Sequence, residues 1–172
     1  MKKKLSNITL CVLKKKQITN IIKKKLLLLK RQHYKYSLLK QRTWFNKNIN
    51  DQDYHNLLFY KNTLIGYNCL RKRKLSLIRN KKNYKINFFL FDTLVVKKNF
   101  RNKGLSKLIM ESSNEIILRK KNLGLLFCEK KMIKYYSKIK WKLIKKKKIL
   151  SKRSKILSSM IFNFENKNFK SI

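Results

Sequence analysis

The sequence predicts an α/β fold of the α+β type, and three observations carry that prediction. The apolar run Phe88–Val96 turns into a basic loop and then into an amphipathic stretch, which is typical of a buried strand that leaves the core and is followed by a helix. The strand-like stretches Tyr54–Tyr60 and Thr63–Leu70 are joined only at Lys61 and Asn62, so they predict a hairpin. A chain of 172 residues is also long enough for one hydrophobic core and too short for two comfortable ones.

The sequence before the hairpin predicts a strand, a helix and then a stretch rich in aromatic and basic residues. Ile8–Leu13 is apolar enough for a first strand, and Gln17–Lys30 has the apolar content of a helix. In Arg31–Phe45, aromatic residues alternate with basic ones. Such a stretch is either a stacking surface for single-stranded nucleic acid or a helix whose aromatic side chains line a core or pocket, and we favour the second. Asn46–Gln52 is rich in Asn and Asp and predicts a loop.

The chain after the hairpin predicts a central helix and several short elements. The charged stretch Arg71–Lys85 is expected either to extend the hairpin or to lie in solvent. The central helix follows from apolar residues at helical spacing, namely Leu105, Leu108, Ile109 and Ile116. Asn122–Gly124 predicts a left-handed helix stop. The remaining predicted elements are a strand at Leu125–Cys128, a helix at Lys130–Lys138, and strands at Trp141–Ile144 and Ile156–Phe164 separated by a lysine-rich loop.

The loop between the apolar run and the central helix has the composition of an anion site. The first turn of a helix offers N–H groups without intrahelical partners and the positive end of the helix dipole. Gly104 allows the backbone to approach a ligand closely, and Arg101 and Lys103 add positive charge. A diphosphate would therefore fit, although an ordinary solvated loop would have the same composition. The single Gly excludes the nucleoside triphosphate loop GxxxxGK[ST].

The net charge is extreme, because 47 Lys and Arg residues face only 7 Asp and Glu residues, which gives +40. One interpretation is binding to a polyanion such as RNA, DNA or an acidic membrane surface. The other is mutational bias: the chain has no Pro and no Ala and abounds in Lys, Asn and Ile, as an AT-rich genome would dictate. We favour bias, because the lysines are spread along the whole chain. In either case the positive field attracts an anionic cofactor.

The cysteines and the apolar segments suggest a location. Cys11, Cys69 and Cys128 are isolated, so they indicate neither a zinc site nor a disulfide framework, and the odd count suits a reducing interior. No apolar run approaches the roughly 18 residues of a membrane span. The N-terminal stretch lacks the cleavage site of a signal peptide. We therefore expect a cytoplasmic protein without a metal.

Two motifs resemble those of the GNAT superfamily of N-acetyltransferases. Leu94–Ser106 reads LVVKKNFRNKGLS and resembles the acetyl-coenzyme A motif, with Arg101 and Gly104 on the pattern [R/Q]-x-x-G-x-[G/A]. Downstream, YYSKIKW, with Tyr136 and Trp141, resembles the segment F-Y-x-x-x-G-[F/W]. The chain departs from the family at Ser106 and Lys140, which replace Gly, and at Lys98, which replaces Pro. The resemblance covers roughly residues 50–144.

The resemblance implies a fold, a co-substrate and a binding site. The fold would be a mixed, mostly antiparallel sheet with a V-shaped splay between the fourth and fifth strands and with helices on both faces. Acetyl-CoA would be the co-substrate. The residues that would bind it, by resemblance, are Leu94, Val95, Val96, Arg101, Asn102, Lys103, Gly104, Leu105, Ser106 and Glu129.

The resemblance also suggests two catalytic residues. Tyr136 matches the family's motif tyrosine and would protonate the departing thiolate, which suits a phenol because its reference pKa of about 10 exceeds the thiol's of about 8.5. Asp92 would take the proton of the amine, directly or through water; a strand-edge Asp satisfied by backbone donors is an equal alternative. Asp53 and His55 either face the acceptor or lie in a surface loop.

The sequence therefore predicts one N-acetyltransferase domain over residues 1–172. It would transfer an acetyl group from acetyl-CoA to a primary amine, on a small molecule or a protein, by direct attack in a ternary complex. The alternative is a basic nucleic-acid-binding protein on a degenerate acetyltransferase scaffold. The acceptor and the oligomeric state stay open at this stage.

Overall fold

The strands of the protein form a single seven-stranded sheet in the computed structural model, which describes residues 7–79, 82–144 and 157–164. The strands are β1 (Ile8–Lys14), β2 (Tyr54–Tyr60), β3 (Thr63–Arg79), β4 (Lys82–Val96), β5 (Leu123–Cys128), β6 (Lys142–Ile144) and β7 (Ser158–Phe162). The helices are α1 (Asn20–Arg31), α2 (Leu38–Asn48), α3 (Leu105–Arg119) and α4 (Ile133–Ser137). The strand order is β1-β2-β3-β4-β5-β7-β6.

The sheet is mostly antiparallel with one parallel pair. β1 with β2, β2 with β3, β5 with β7 and β6 with β7 are antiparallel, whereas β4 and β5 run parallel. The parallel register joins Phe88–Leu90 to Leu123–Leu125. β4 itself continues to Val96 and β5 to Cys128. This is the α+β architecture that the sequence predicted.

The described residues group into two compact units. Of the described residues, the first unit comprises 7–71 and 92–110, and the second comprises 72–79, 82–91, 111–144 and 157–164. Strands β3 and β4 and helix α3 each contribute to both units. A single functional domain over the whole chain stays a prediction.

The first unit has a core on each face of its strands. Leu57 of β2 packs in a cluster with α1 and α2, to which Leu26 and Phe45 belong. The next residue, Leu58, belongs to a second cluster with Leu105 and Ile109 of α3. Because successive side chains of a strand point to opposite faces, the unbroken apolar stretch of β2 supplies both cores. Helices therefore cover both faces here, as predicted.

The second unit is built around Trp141. Its indole stacks on Phe162 with a centroid distance of 5.5 Å, meets Phe91 edge-on, and donates from Nε1 to Asn114 Oδ1 at 3.0 Å. Gly124 of β5 lies beneath it, since a Cβ there would stand 2.8 Å from Trp141 Cη2 and 2.9 Å from Ile117 Cδ1. The close approach of strand and indole thus requires the absence of a side chain at this position.

Several helix and strand boundaries in the structure differ from those predicted from the sequence. The first helix begins at Asn20 and not at Gln17, because Thr19 accepts from the amide of Ile22 and caps it. Helix α2 continues to Asn48, into the predicted loop. Within Arg71–Lys85, β3 extends to Arg79 and β4 begins at Lys82, so the hairpin-extension alternative is confirmed. The lysine-rich loop before β7 lies outside the described residues.

The helix stop predicted at Asn122–Gly124 lies slightly earlier in the chain. Lys121 takes the left-handed conformation, with φ 47°, and closes α3. The amide of Asn122 donates to Ile117 O at 3.1 Å and that of Lys121 to Leu118 O at 2.8 Å, which is the bond pattern of a Schellman motif. Gly124 was assigned to the stop but belongs to β5.

Candidate active site

Strand β4 is bent where the predicted site begins. Thr93 has φ 58°, a conformation that is rare for a β-branched residue. Such residues cost about 1–3 kcal/mol and concentrate at functional sites. The carbonyl of Asp92, immediately before the bend, accepts from Asn68 Nδ2 at 3.2 Å. The bend separates the acidic side chain of Asp92 from the last three residues of the strand.

The last residues of β4 offer backbone and not side chains to a ligand. Val95 and Val96 are 2% and 7% exposed and Leu94 is half-buried, each in one of the two cores of the first unit. Their side chains are ordinary core. If these residues bind a co-substrate, as the sequence resemblance implies, they do so through main-chain groups.

The loop after β4 presents free donors. Asn102 and Gly104 have φ 59° and 75°, and a Cβ at Gly104 would meet nothing within 4 Å. In the part of the chain that the structure describes, the amides of Asn102, Lys103, Gly104 and Leu105 have no hydrogen-bond acceptor. Leu105 is buried and anchors the start of α3. The loop can therefore hold an anion with its amides.

Charge and geometry at this loop agree. Arg101, Asn102, Lys103 and Gly104 are all exposed, and two of them are cationic. Ser106 lies in the first turn of α3 without a positive φ, so its backbone does not need the Gly that the resemblance led us to expect. The donors and charges are those that a diphosphate requires.

His33 belongs to this region and was missed by sequence reasoning. Its Nε2 lies 3.1 Å from the carbonyl of Val96, and Arg101 Nη2 lies 3.2 Å from its Nδ1. Burial, followed by the Arg101 charge, lowers the pKa of His33 against the opposing effect of the Val96 carbonyl. A neutral ring that donates from Nε2 and accepts at Nδ1 satisfies both contacts. The only hint in the sequence was that His33 is one of 2 histidines.

Arg101 also turns toward β4. Its Nε donates to Val96 O at 3.2 Å, and the amide of the next residue, Lys97, donates to Ile65 O at 2.7 Å. These contacts hold the end of β4 and the loop of residues 101–105, which we call the anion loop, together within the first unit. Arg101 acts as a support of the loop as well as a charge in it.

Asp92 is engaged in an ion pair. Its Oδ2 lies 2.7 Å from Arg71 Nη1, and the two side chains are 15% and 9% exposed. Arg71 Nη2 also donates to the carbonyl of Asn48 at 3.3 Å, and Thr93 Oγ1 donates to Asp92 Oδ1 at 3.4 Å. The strand-edge alternative named backbone donors, but the partner here is a side chain.

Tyr136 and Glu129 lie in the second unit. Tyr136 is 8% exposed in α4 and meets Phe91 and Tyr135 edge-on. Glu129 is exposed and its Oε2 lies 2.6 Å from Lys131 Nζ, a contact that raises the pKa of Lys131. Lys140, where the resemblance predicts Gly, has φ 66°, so the backbone retains the conformation that favours Gly.

Asp53 and His55 are fully buried, so the surface-loop alternative is wrong for both. Asp53 Oδ2 accepts from the amide of Asn50 at 2.9 Å and so shapes the turn before β2. His55 Nδ1 lies 2.9 Å from the hydroxyl of Tyr67, and burial lowers the pKa of His55 to about 4. These residues are structural parts of the core.

Comparison with known proteins supports the fold assignment. No family model and no curated protein matches the chain. Among solved structures, ElaA of Escherichia coli superposes with a TM-score of 0.63 at 10% identity, over 90% of this chain and 99% of that one. An acyl-CoA N-acyltransferase from Pseudomonas aeruginosa gives 0.62 at 15% identity, over 90% and 99%. The PaiA N-acetyltransferase of Thermoplasma acidophilum, in complex with coenzyme A, gives 0.56 at 15% identity, over 90% and 98%.

The chain therefore has the fold of the GNAT acetyltransferases. At these identities the likeness concerns the fold alone. No helix among the described residues combines the length and apolarity needed to cross a membrane.

Proposed function

We propose that the protein is an acyl-CoA-dependent N-acyltransferase that moves an acetyl group from acetyl-CoA to a primary amine. The observation that carries the proposal is the set of unpaired amides from Asn102 to Leu105, at a loop with open space around Gly104. An acyl-CoA is a diphosphate ester, and a cluster of backbone donors with adjacent cations is the chemistry that holds a diphosphate. The fold supports this use of the loop, since solved neighbours include an N-acetyltransferase bound to coenzyme A.

The chemistry needs three further functions. The amine must lose a proton, the oxyanion of the tetrahedral intermediate must meet a donor, and the thiolate must gain a proton. In this proposal, main-chain groups of Leu94–Val96 bind the pantetheine arm and the acyl oxygen, because their side chains are committed to the core. Tyr136 is proposed as the acid that protonates the thiolate, on the strength of its motif. Glu129 is proposed to contact the co-substrate by resemblance alone; its carboxylate is exposed and pairs with Lys131.

The role proposed for Asp92 changes with its ion pair. A carboxylate that holds a guanidinium at 2.7 Å would have to give up that partner to accept a proton from an amine. We therefore infer that Asp92 positions Arg71. Positive charges near the acceptor, including Arg71 and Lys30, would lower the pKa of a bound ammonium and favour the neutral amine that attacks.

The nucleic-acid alternative finds no support among the structural neighbours. A cytoplasmic location is retained as part of the proposal.

Acetyl-CoA binding tests the proposal directly. Acetyl-CoA should raise the melting temperature of the protein by mass action, by the equivalent of about 2.7 kcal/mol at one hundred times its Kd. Gly104→Glu should abolish this shift, because a carboxylate at an open position next to the loop amides repels a diphosphate. Gln52→Glu, the same charge change at an exposed residue outside the loop, is the matched control and should retain the shift. An unchanged melting temperature in the wild type, or full binding by Gly104→Glu, would contradict the proposal.

A further inference from the structure

Two buried cationic side chains lie beside a half-buried indole and a half-buried carboxylate in the first unit. Lys30 of α1 and Arg71 of β3 are 7% and 8% exposed. The ammonium of Lys30 lies 4.6 Å from the centroid of the Trp44 ring, and the guanidinium carbon of Arg71 lies 5.0 Å from it. Asp92 binds Arg71, and Tyr34 lies 5.9 Å from the Lys30 ammonium. We call these five residues the Trp44 cluster.

The Trp44 cluster carries one positive charge in excess. Arg71 and Asp92 cancel each other, whereas the ammonium of Lys30 forms no hydrogen bond or ion pair with any residue that the structure describes. Burial lowers the pKa of Lys30, and the Asp92 charge opposes that effect only in part. An aromatic face stabilises a desolvated ammonium by about 2 kcal/mol or more, but it does not neutralise the charge as an anion does.

The cluster also has an unused donor. Arg71 Nε is buried and has no hydrogen-bond partner among the described residues, although both Nη atoms are engaged. Buried guanidinium nitrogens in folded proteins are almost always paired, so an unpaired one indicates a missing acceptor. Lys30 Nζ and Arg71 Nε are therefore two donors that lack an acceptor, beside the same indole ring.

We infer that the acceptor amine also carries an anionic group, a carboxylate or a phosphate, and that this group binds Lys30 and Arg71 beside Trp44. The inference rests on the proposed acyl transfer for the identity of the ligand as an acceptor. Asp92 lies two residues before Leu94, so their Cα atoms are at most about 7 Å apart. The Trp44 cluster and the end of β4 are therefore close enough for one small acceptor to place its anionic group at the cluster and direct its amine toward the strand end.

The cluster then sets acceptor specificity by charge. An anionic group neutralises the excess charge of Lys30 and accepts a hydrogen bond from Arg71 Nε. Binding therefore compensates the free-energy cost of desolvating these two cationic groups in the empty site. A polyamine brings further positive charge to the same place and is rejected. An amine without an anionic group leaves Lys30 Nζ and Arg71 Nε without an acceptor.

Paired ligands provide the test. Binding to the protein without acetyl-CoA is measured by calorimetry for the twenty proteinogenic L-amino acids and O-phosphoethanolamine. Each is compared with a counterpart that keeps the amine but lacks the anionic group, an amino acid amide or ethanolamine, and spermidine is included. Lys30→Met removes the charge at similar volume, and Lys30→Arg keeps it. Lys24→Met, an exposed lysine of the same helix, is the matched control. Acetyl-CoA binding is measured separately on every variant.

We expect at least one amine with a carboxylate or phosphate group to bind at least tenfold more tightly than the counterpart that lacks this group. Lys30→Met should lose that preference, while Lys30→Arg and Lys24→Met keep it and all variants bind acetyl-CoA. Preference for amino acids over O-phosphoethanolamine would identify a carboxylate, and the reverse a phosphate. The inference is overturned if no amine with an anionic group binds, if the counterparts without that group bind equally tightly, or if Lys30→Met retains the preference for the anionic group. Failure of the wild type to bind acetyl-CoA would instead contradict the proposed function.

Discussion

The carboxylate of Asp92 and the guanidinium of Arg71 lie 2.7 Å apart, on neighbouring strands and largely shielded from water. Removing one partner of such a pair leaves an uncompensated buried charge, whereas removing both does not. In this protein the remaining charge would add to that of Lys30.

Asp92→Asn should therefore lower the free energy of unfolding by about 3 kcal/mol. The double variant Arg71→Met with Asp92→Asn should recover most of that loss, because it leaves no guanidinium without its carboxylate. Urea titrations of the three proteins give the comparison. Glu129→Gln, which removes an exposed ion pair with Lys131, is the control and should change stability little. A stable Asp92→Asn protein that has lost only its turnover would restore Asp92 as the base.

Gly124→Ala should destabilise the second unit. The new methyl group would stand 2.8 Å from Trp141 Cη2, and the indole cannot retreat because Phe162, Phe91 and Asn114 hold it. We expect a loss of about 1–3 kcal/mol, measured by thermal unfolding. Gly104→Ala meets no neighbouring atom, so any loss there reflects only its φ of 75°. Equal melting temperatures for Gly124→Ala and the wild type would disprove the packing around Trp141.

Lys140→Gly should stabilise the protein. The left-handed backbone at this lysine, with φ 66°, costs about 1–2 kcal/mol, and only part of that gain is lost to the greater freedom of Gly in the unfolded chain. A net gain of roughly 0.5–1 kcal/mol in unfolding free energy is expected. Lys138→Gly is a matched control at φ −61° and should destabilise instead. Opposite shifts of the two melting temperatures are the diagnostic result.

Stability should fall on acidification because of His55. Its pKa is lowered to about 4 in the folded state, against about 6.5 unfolded, so the unfolded chain binds more protons between these values. The free energy of unfolding should drop by roughly 1 kcal/mol from pH 7.5 to 5.5, with the loss levelling off below pH 4. The protonated ring carries a hydrogen on both nitrogens, and Nε2 of His55 is buried without a partner among the described residues. His55→Asn should flatten this pH dependence, whereas His33→Asn, at an exposed position, should leave most of it; a similar slope in all three would exclude His55.

Tyr136→Phe should slow turnover about a hundredfold while leaving the acetyl-CoA dissociation constant within about twofold, since a general acid contributes to the reaction step alone. Tyr135→Phe, the neighbouring tyrosine of α4, is the control and should keep its rate. Steady-state rates with a thiol readout and calorimetric binding separate the two effects. An unimpaired Tyr136→Phe enzyme would remove the tyrosine from the mechanism.

The elements whose signal is local were predictable from the sequence. The hairpin around Lys61, the strand ending at Val96 and the helix beginning at Leu105 each follow from neighbouring residues, and the structure has all three. Contacts between distant residues were not predictable. His33 lies 63 positions from Val96 in the chain, and Arg71 lies 21 positions from Asp92.

Burial of charged residues was also beyond the sequence. Lys30 is one of many lysines in α1, and no pattern distinguishes it from its exposed neighbours before the helix is packed. The resemblance suggested Asp92 as a base, but nothing in the sequence indicated that its carboxylate pairs with Arg71. The fold could thus be inferred from the sequence, as could the position of the loop before α3, while the Trp44 cluster required the structure.

The left-handed turns of this chain carry side chains where many proteins place glycine. Apart from Thr93, the non-glycine residues with positive φ in the described part are all Asn or Lys, in a chain with 3 glycines. Each such turn strains the native backbone slightly, so these residues lower the free energy of unfolding relative to glycine at the same positions. Introducing glycine at these turns one at a time, outside residues 101–105, should therefore raise the melting temperature while leaving the rest of the protein surface unchanged.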